Sequence, residues 1–496
     1  MTQESTLRTR RAIPRGLPAG AALAAVVALV GCASASDHPQ SGQVPVPPSQ
    51  SRPAELATPP APPPPPPPVI PEHLLAPGAT LTLAEIVDIA LQNNPATRAS
   101  YFQARAAAAQ LGSKKAPYYP SIDLTANAAR ADLATQSQDG VPVTSYGAAV
   151  ELDWLLLDLG GRSANAEDAR QALLAADWNH NATIQDVILA VQRTFVQYLN
   201  AKAQLEAARI NVRQGQAALD AATTRHDAGV ATIAEVLQAR TALSQFQLTE
   251  ATFAGQVLVL RGSLATAMGL PANTPYDVGT LPADLPLDTA TEAVERLIAL
   301  ANARRPDLLA ARALADRAAA HVDAVKSEGL PTLGLQATAN RTFYEIGDVD
   351  FQNNWSARLL VTFPLFTGWA NTFNIQKAKD ELGVAQAQAT SLEQQVVLQV
   401  WTSHTALTTA AQLVRTSRDL LASAEQSERV ALGRYREGVG TIIDLLAAQS
   451  ALANARAQEI QARSTWFAAL AQLARDTGAA AETLQAAAVT IEKREP

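Results

Sequence analysis

Arg225-His226-Asp227-Ala228-Gly229-Val230 and, 209 residues later, Arg434-Tyr435-Arg436-Glu437-Gly438-Val439 are the stretches on which the reading of this 496-residue chain turns. Each closes a proline-free run, from about 162 to 225 and from about 371 to 434, and each leads to an acid six residues past its glycine, Glu235-Val236-Leu237 or Asp444-Leu445-Leu446. Glycine at such a point predicts a helix that stops in a left-handed residue and lets the chain reverse. A helix of roughly 64 residues reaches on the order of 95 Å, more than a globular domain requires. A return helix is expected to about Met268 in the first case and Ala474 in the second. Small residues such as Ala201, Ala203, Ala207 and Ala208 or Ala448, Ala451, Ala453 and Ala455 let neighbouring helices approach closely.

Outward from these turns the chain repeats itself. Asn94-Pro95 recurs as Arg305-Pro306 and Pro120 as Pro331, both 211 residues apart. A helix–strand–strand–helix order is thus expected twice, with a drift of two residues between copies. The period is too long for a solenoid.

Between the helical runs the hydrophobic period changes from helical to twofold. Ile122, Leu124, Ala126 and Ala128 alternate with Ser121, Asp123, Thr125 and Asn127; after a Gln-, Asp- and Gly-containing turn, Tyr146, Ala148, Val150, Leu152 and Trp154 alternate with Gly147, Ala149, Glu151 and Asp153. The second copy offers Leu333, Leu335, Ala337 and Ala339, then Trp355, Ala357, Leu359, Val361 and Phe363. Four strands of about ten residues are predicted. By period alone they fit surface hairpins over a soluble core as well as membrane strands. Their apolar faces and terminal aromatics (Tyr118, Tyr119, Trp154, Phe343, Tyr344, Trp355, Phe363, Phe366) match an outer-membrane barrel. Four strands cannot close a barrel, so several chains would share one, and three would supply twelve.

Composition fits long helices: hydrophobic residues make up 48% but aromatics only 5%. Net charge is −7 with scattered Lys and Arg, so no nucleic-acid partner is expected. Arg8, Arg10, Arg11 and Arg15, the apolar Ala21 to Val30, and Leu29-Val30-Gly31-Cys32 read as a secretory signal ending in a lipobox, with acylation expected on Cys32. An ordinary signal peptide with an incidental cysteine is the alternative. Removing residues 1–31 takes out four Arg and Glu4 and moves the charge from −7 to −10. Cys32 is the sole cysteine, which excludes disulfides within the chain. Pro62 to Pro68 sits in a Pro-rich stretch that favours an extended tether. The expected divisions are a signal peptide (1–31), a lipidated tether (32–78), a first repeat (79–288), a second repeat (289–478) and a tail (479–496).

From about residue 80 to 477 the chain resembles the TolC family of outer-membrane efflux and secretion channels. The resemblance rests on the repeat, on Ala301 to Pro306 with Asp307-Leu308, on Leu365-Phe366-Thr367-Gly368, and above all on the paired turns. It implies a mainly α protein with membrane β: a homotrimer whose twelve-stranded barrel crosses the outer membrane and whose twelve-helix tunnel enters the periplasm. It further implies a passive conduit in a tripartite efflux or type I secretion system, with a periplasmic adaptor and an inner-membrane pump as partners. Arg225, Gly229, Arg434 and Gly438 would lie at the adaptor-docking tip, although the glycines also serve as plain helix terminators and the arginines as complements to helix dipoles. Glu235, Tyr435 and Asp444 match positions of the family's tip constriction. Gly440 stands where its arginine would be and Ala447 where a second aspartate would be, so a weaker, acidic constriction is expected.

No cofactor or catalysis is expected beyond the lipid on Cys32. The six histidines are widely separated, none at the i, i+4 spacing of a helical metal site, and no nucleotide or nucleophile-elbow motif occurs. A lipid-anchored structural or adaptor protein is the competing class. Adaptors usually place one helical hairpin in a lipoyl-like β segment, whereas this chain has two hairpins and two strand pairs.

Overall fold

The computed structural model describes residues 80–135, 138–280, 285–287, 293–345 and 351–479, with side chains left aside at 132–143. The expected signal peptide, Cys32 with its tether, and the tail after Ala479 lie outside the described residues.

Two short helices, a strand pair and a helical hairpin follow one another, and then the same order follows again. The first series is β1 (Thr80–Leu81), α1 (Leu83–Asn93), α2 (Pro95–Lys115), β2 (Ser121–Thr135), β3 (Gln138–Leu157), α3 (Gly161–Asp227) and α4 (Ile233–Ala267). The second is β4 (Asp277–Val278), α5 (Val294–Arg304), α6 (Pro306–Ser327), β5 (Thr332–Tyr344), β6 (Phe351–Thr362), α7 (Ala370–Arg436) and α8 (Ile442–Asp476). The long helices α3 and α7 have 67 residues each and their return helices 35 each. At 1.5 Å per residue, α3 and α7 extend about 100 Å. Among the described residues no helix is long and apolar enough to cross a membrane.

The proline pairs set the first helical joints. Pro95 opens α2 at a position whose N–H needs no partner, and Asn94 caps that helix by accepting from the Ala96 N–H at 2.8 Å. Asn94 Nδ2 also donates to the Ala267 carbonyl at 3.3 Å, which ties this joint to the end of α4. Around it Ile86, Ile89, Val191, Tyr198, Leu264 and Met268 form the largest apolar cluster.

The strands are longer than the ten residues expected: 15, 20, 13 and 12. The Gln-, Asp- and Gly-containing segment assigned to a turn is mostly ladder, with Thr135 opposite Gln138. Backbone pairing does not depend on side-chain polarity, so a hairpin continues past the point where alternation stops. The four strands form one antiparallel sheet in the order β2-β3-β5-β6. Register joins Leu124, Val150, Ala339 and Trp355 on one face, and Asp123, Glu151, Thr338 and Ser356 on the other. The apolar face is open: Trp355 is 82% exposed and Leu124 76%. On the polar face Arg358 Nε donates to Gln336 Oε1 at 2.8 Å. In the single chain β2 and β6 each have one unpaired edge.

The sheet is fixed to the helices by Arg162. Its guanidinium donates to the carbonyls of Leu155 (2.6 Å), Leu156 (3.0 Å) and Pro117 (3.3 Å), and it lies 4.9 Å from the Tyr118 ring centroid. Trp154 Nε1 donates to the Tyr118 carbonyl at 3.2 Å. Both strand-to-helix joints use left-handed residues, Leu159 with Gly160 and Trp369 with Gly368.

A buried ionic hub joins α6, α7 and α8. Arg305, 2% exposed, meets Asp307 at 2.5 Å, donates to Gln399 Oε1 at 2.6 Å and approaches Asp476 at 3.9 Å. Arg475 spans Asp186 of α3 (2.9 Å), Asp476 (3.5 Å) and Asp307 (3.9 Å). Burial alone would raise the Asp307 pKa, but the hydrogen bond and charge of Arg305, aided by Arg475, hold it below the ordinary carboxylate value. The first repeat fills the corresponding joint with neutral Asn94.

Candidate functional site

The end of each helical hairpin is a Schellman turn, in which the left-handed residue lets two amides reach back to the last helical carbonyls. Gly229 has φ +77°; its N–H bonds the His226 carbonyl at 2.8 Å and the Val230 N–H bonds that of Arg225 at 3.0 Å. Gly438, also at +77°, repeats this with Tyr435 (3.1 Å), as Val439 does with Arg434 (3.0 Å). A Cβ on Gly229 would meet nothing within 4 Å, and on Gly438 only Arg225 Nη1 at 3.5 Å. Conformation, not crowding, requires glycine here. Val230 and Val439 are exposed beside them, at 64% and 67%.

The chain then restarts as a helix from Thr232 and from Thr441. The Thr441 hydroxyl accepts from the Asp444 N–H at 3.2 Å while Asp444 Oδ2 accepts from the Thr441 N–H at 3.4 Å. Glu235 Oε1 likewise accepts from the Thr232 N–H at 3.4 Å. Glu235 and Asp444 are therefore the third residues of two capping boxes. The sequence signal for that role is Thr-x-x-Glu at Thr232 and Thr-x-x-Asp at Thr441.

Tyr435 joins the two hairpins. It is wholly buried among Ala218, Ala222, Val236, Ala239, Ile442 and Leu445, and its hydroxyl donates to Glu235 Oε2 at 3.3 Å. Arg225 Nη1 donates to the Tyr435 carbonyl at 2.9 Å, with its guanidinium 4.9 Å from the ring centroid. Burial, followed by the charge of Glu235 and the hydrogen bond to it, raises the Tyr435 pKa against the smaller pull of Arg225. The phenol is thus neutral at physiological pH, and its proton serves Glu235.

The expected site residues divide accordingly. Arg225, Glu235, Tyr435 and Gly438 come together. Asp444 does not join them; it lines a shallow groove with Arg434, Gly440, Ala447, Ala448 and Ala451. Arg434 Nη2 reaches back to the Val439 carbonyl at 3.4 Å. A Cβ on Gly440 would lie 3.0 Å from Arg434 Cβ and 3.2 Å from the Tyr435 nitrogen, so position 440 is tight against the end of α7. The arginine beside Tyr435 comes from the other hairpin. Nothing local in the sequence brings Arg225 to a residue 210 positions away.

The outer membrane efflux protein profile matches residues 86–270 and 297–479, the two series of helices and strands just described. The chain belongs to this family. Among curated relatives, protein CyaE of Bordetella pertussis is 29% identical over 425 residues, 82% of this chain and 86% of that protein. The probable efflux pump outer membrane protein TtgC of Pseudomonas putida is 23% identical over 388 residues, covering 75% of this chain and 78% of its own length. A crystallised membrane protein from Pseudomonas aeruginosa superposes with a TM-score of 0.72 at 24% identity, over 80% of this chain and 93% of that one, a likeness of fold. For this outer membrane efflux protein, the turns of α3–α4 and α7–α8 are the ends of its longest elements, opposite the sheet.

Proposed function

We propose that this chain is one protomer of a trimeric outer-membrane channel, the exit duct of a tripartite exporter. The observation that carries this reading is the sheet: an exposed apolar face, a polar opposite face, and two unpaired edges at β2 and β6. Unpaired backbone groups in hydrocarbon are costly, and closure with other copies removes them. Three copies supply twelve strands around a polar lumen, with α3, α4, α7 and α8 of each building the tunnel beneath. The pump supplies the energy and the chain supplies the path.

The turns at Gly229 and Gly438 are the docking points for a periplasmic adaptor, presenting exposed Val230 and Val439 beside bare glycine backbone. Acylation of Cys32 anchors the chain in the outer membrane through its Pro-rich tether. The tip constriction takes its acids from Glu235, which Tyr435 and, through it, Arg225 hold between the two hairpins, and from Asp444 in a separate groove.

Cysteine pairs across the β6–β2 seam test the assembly. Asn354→Cys with Asn127→Cys, on the lumenal face, is expected to give covalent trimers and a heat-modifiable band from outer membranes. A monomer released by removing the lipid would overturn the channel. Val230→Cys and Val439→Cys crosslinking in cells is expected to capture a periplasmic adaptor, and labelled palmitate is expected to enter the wild-type chain but not Cys32→Ser.

A further inference from the structure

Two rows of bulky side chains mark the wall. On the apolar face Trp154 and Leu335 share a rung near the helices, while Tyr146, Phe343 and Phe351 share one toward the hairpin ends. Tyr146 stacks on Phe343 with centroids 5.3 Å apart, and Phe343 lies 6.1 Å from Phe351. With about 3.4 Å per residue and a strand tilt of about 40°, the rows stand about 21 Å apart along the barrel axis, close to the ~25 Å apolar band of an outer-membrane wall.

One rung inside the outer row, on the same face, stands Arg341, between Ala148 and Asn353. It is exposed, and the next residue of its strand on that face is Ala339. Its Nε donates to Asn353 Oδ1 at 2.7 Å, and its guanidinium lies 5.3 Å from the Phe351 centroid, so the head reaches toward the outer row. Among the described residues no protein group bonds its Nη1 or Nη2. Arg130 adds a second positive charge to the same face, one rung beyond Tyr146. β5 carries no carboxylate; the first after it, Glu345, lies past Phe343 and makes no ion pair with Arg341. A guanidinium held at the edge of an apolar band is stabilised when an anion meets it there. Its planar fork matches phosphate oxygens two at a time.

We propose that Arg341, with Asn353 and the ring of Phe351, forms a subsite on the outer wall for the phosphate of a phosphorylated glycolipid of the outer leaflet. Asn353 accepts from Arg341 through Oδ1, which leaves its amide N–H groups to donate to the same phosphate. This inference rests on the sheet being a barrel wall.

The test uses the full-length protein in nanodiscs, titrated with diphosphorylated lipid A, with its dephosphorylated form and with inorganic phosphate, and read by native mass spectrometry. Arg341→Gln is expected to weaken retention of the diphosphorylated lipid about tenfold, with Arg341→Lys in between, and to leave the dephosphorylated lipid unchanged. Arg358→Gln, on the lumenal face, is expected to change neither. Equal retention by Arg341→Gln overturns the subsite, and competition by inorganic phosphate as strong as by the lipid overturns the lipid as its occupant. Removing a charge from an apolar surface leaves folding intact. An Ala339→Cys variant separates the two premises by comparison with the parent chain. Labelling by a lipid-soluble but not a water-soluble maleimide supports the wall, so unchanged lipid retention in Arg341→Gln then defeats only the subsite. Labelling by the water-soluble reagent defeats the wall itself.

Discussion

Arg225 of one helical hairpin donates through Nη1 to the carbonyl of Tyr435 in the other, at 2.9 Å, and lies over the same residue's ring. One side chain thereby fixes both backbone and ring of the residue whose hydroxyl is given to Glu235.

Arg225→Gln is expected to loosen the tip by about 1–3 kcal/mol, because it removes a charge-assisted hydrogen bond and a ring contact together. Tyr435→Phe keeps the carbonyl and the ring, and is expected to cost about 1 kcal/mol. Single-channel conductance in planar bilayers reads both. A larger effect from Tyr435→Phe than from Arg225→Gln would reverse this assignment.

Asp444→Ala tests whether the acid has a role in the pore beyond its capping box. Loss of a cap costs about 1 kcal/mol, and Thr441→Ala carries the same loss without removing a charge. If Asp444 contributes to the constriction, its replacement will relieve divalent-cation block while Thr441→Ala will not. Identical behaviour of the two variants assigns Asp444 to the cap alone.

Gly229→Ala and Gly438→Ala each force an L side chain to φ +77°, at about 1 kcal/mol. Because the space around Gly229 is empty, thermal unfolding should shift only slightly. Adaptor crosslinking from Val230→Cys and Val439→Cys should fall much further. Full crosslinking in the alanine variants would show that bare backbone is not what docks.

The ionic hub carries an acid-sensitive share of stability. The Asp307 pKa is lower folded than unfolded, so its contribution is present above the unfolded value of about 3.9 and is lost as pH falls through the folded value. Asp307→Asn leaves Arg305 buried with weakened compensation and is expected to cost about 3–5 kcal/mol at neutral pH. It should also flatten the acid limb of a stability profile measured by denaturant unfolding from pH 7 to 3. A profile parallel to that of the parent would place the acid sensitivity elsewhere.

The two faces of the sheet should respond oppositely to charge. Trp355→Arg, on the exposed apolar face opposite Ala339, is expected to cost about 2–4 kcal/mol at mid-wall and to reduce assembly in outer membranes. Thr338→Arg, on the polar face, should assemble normally and alter conductance instead. Separation of membrane fractions, followed by gels with and without heating, distinguishes them.

Most of the helical architecture was legible because its signals are local. A proline at the first turn, a glycine past the last and a change of hydrophobic period each act within a few residues, and the helix ends expected near Arg225 and Arg434 fall at Asp227 and Arg436. Strand length was less legible. Ladder bonds are made by backbone, and beyond the apolar band the side chains no longer alternate.

The sequence by itself determined where this protein's helices start and stop, which strand faces are apolar, and that glycine must stand at both turns, because these follow from backbone geometry and hydrophobic period. Only the tertiary structure decided which partners meet. It brought Arg225 to Tyr435, gathered Arg305, Asp307, Arg475 and Asp476 into one buried hub, and set Asp444 apart from Glu235. Arg225 with Tyr435, and in the hub Arg305 with Asp476 and Arg475 with Asp307, meet across about 170 to 210 residues. They are selected by how 67-residue helices pack side by side, which no short stretch of sequence encodes.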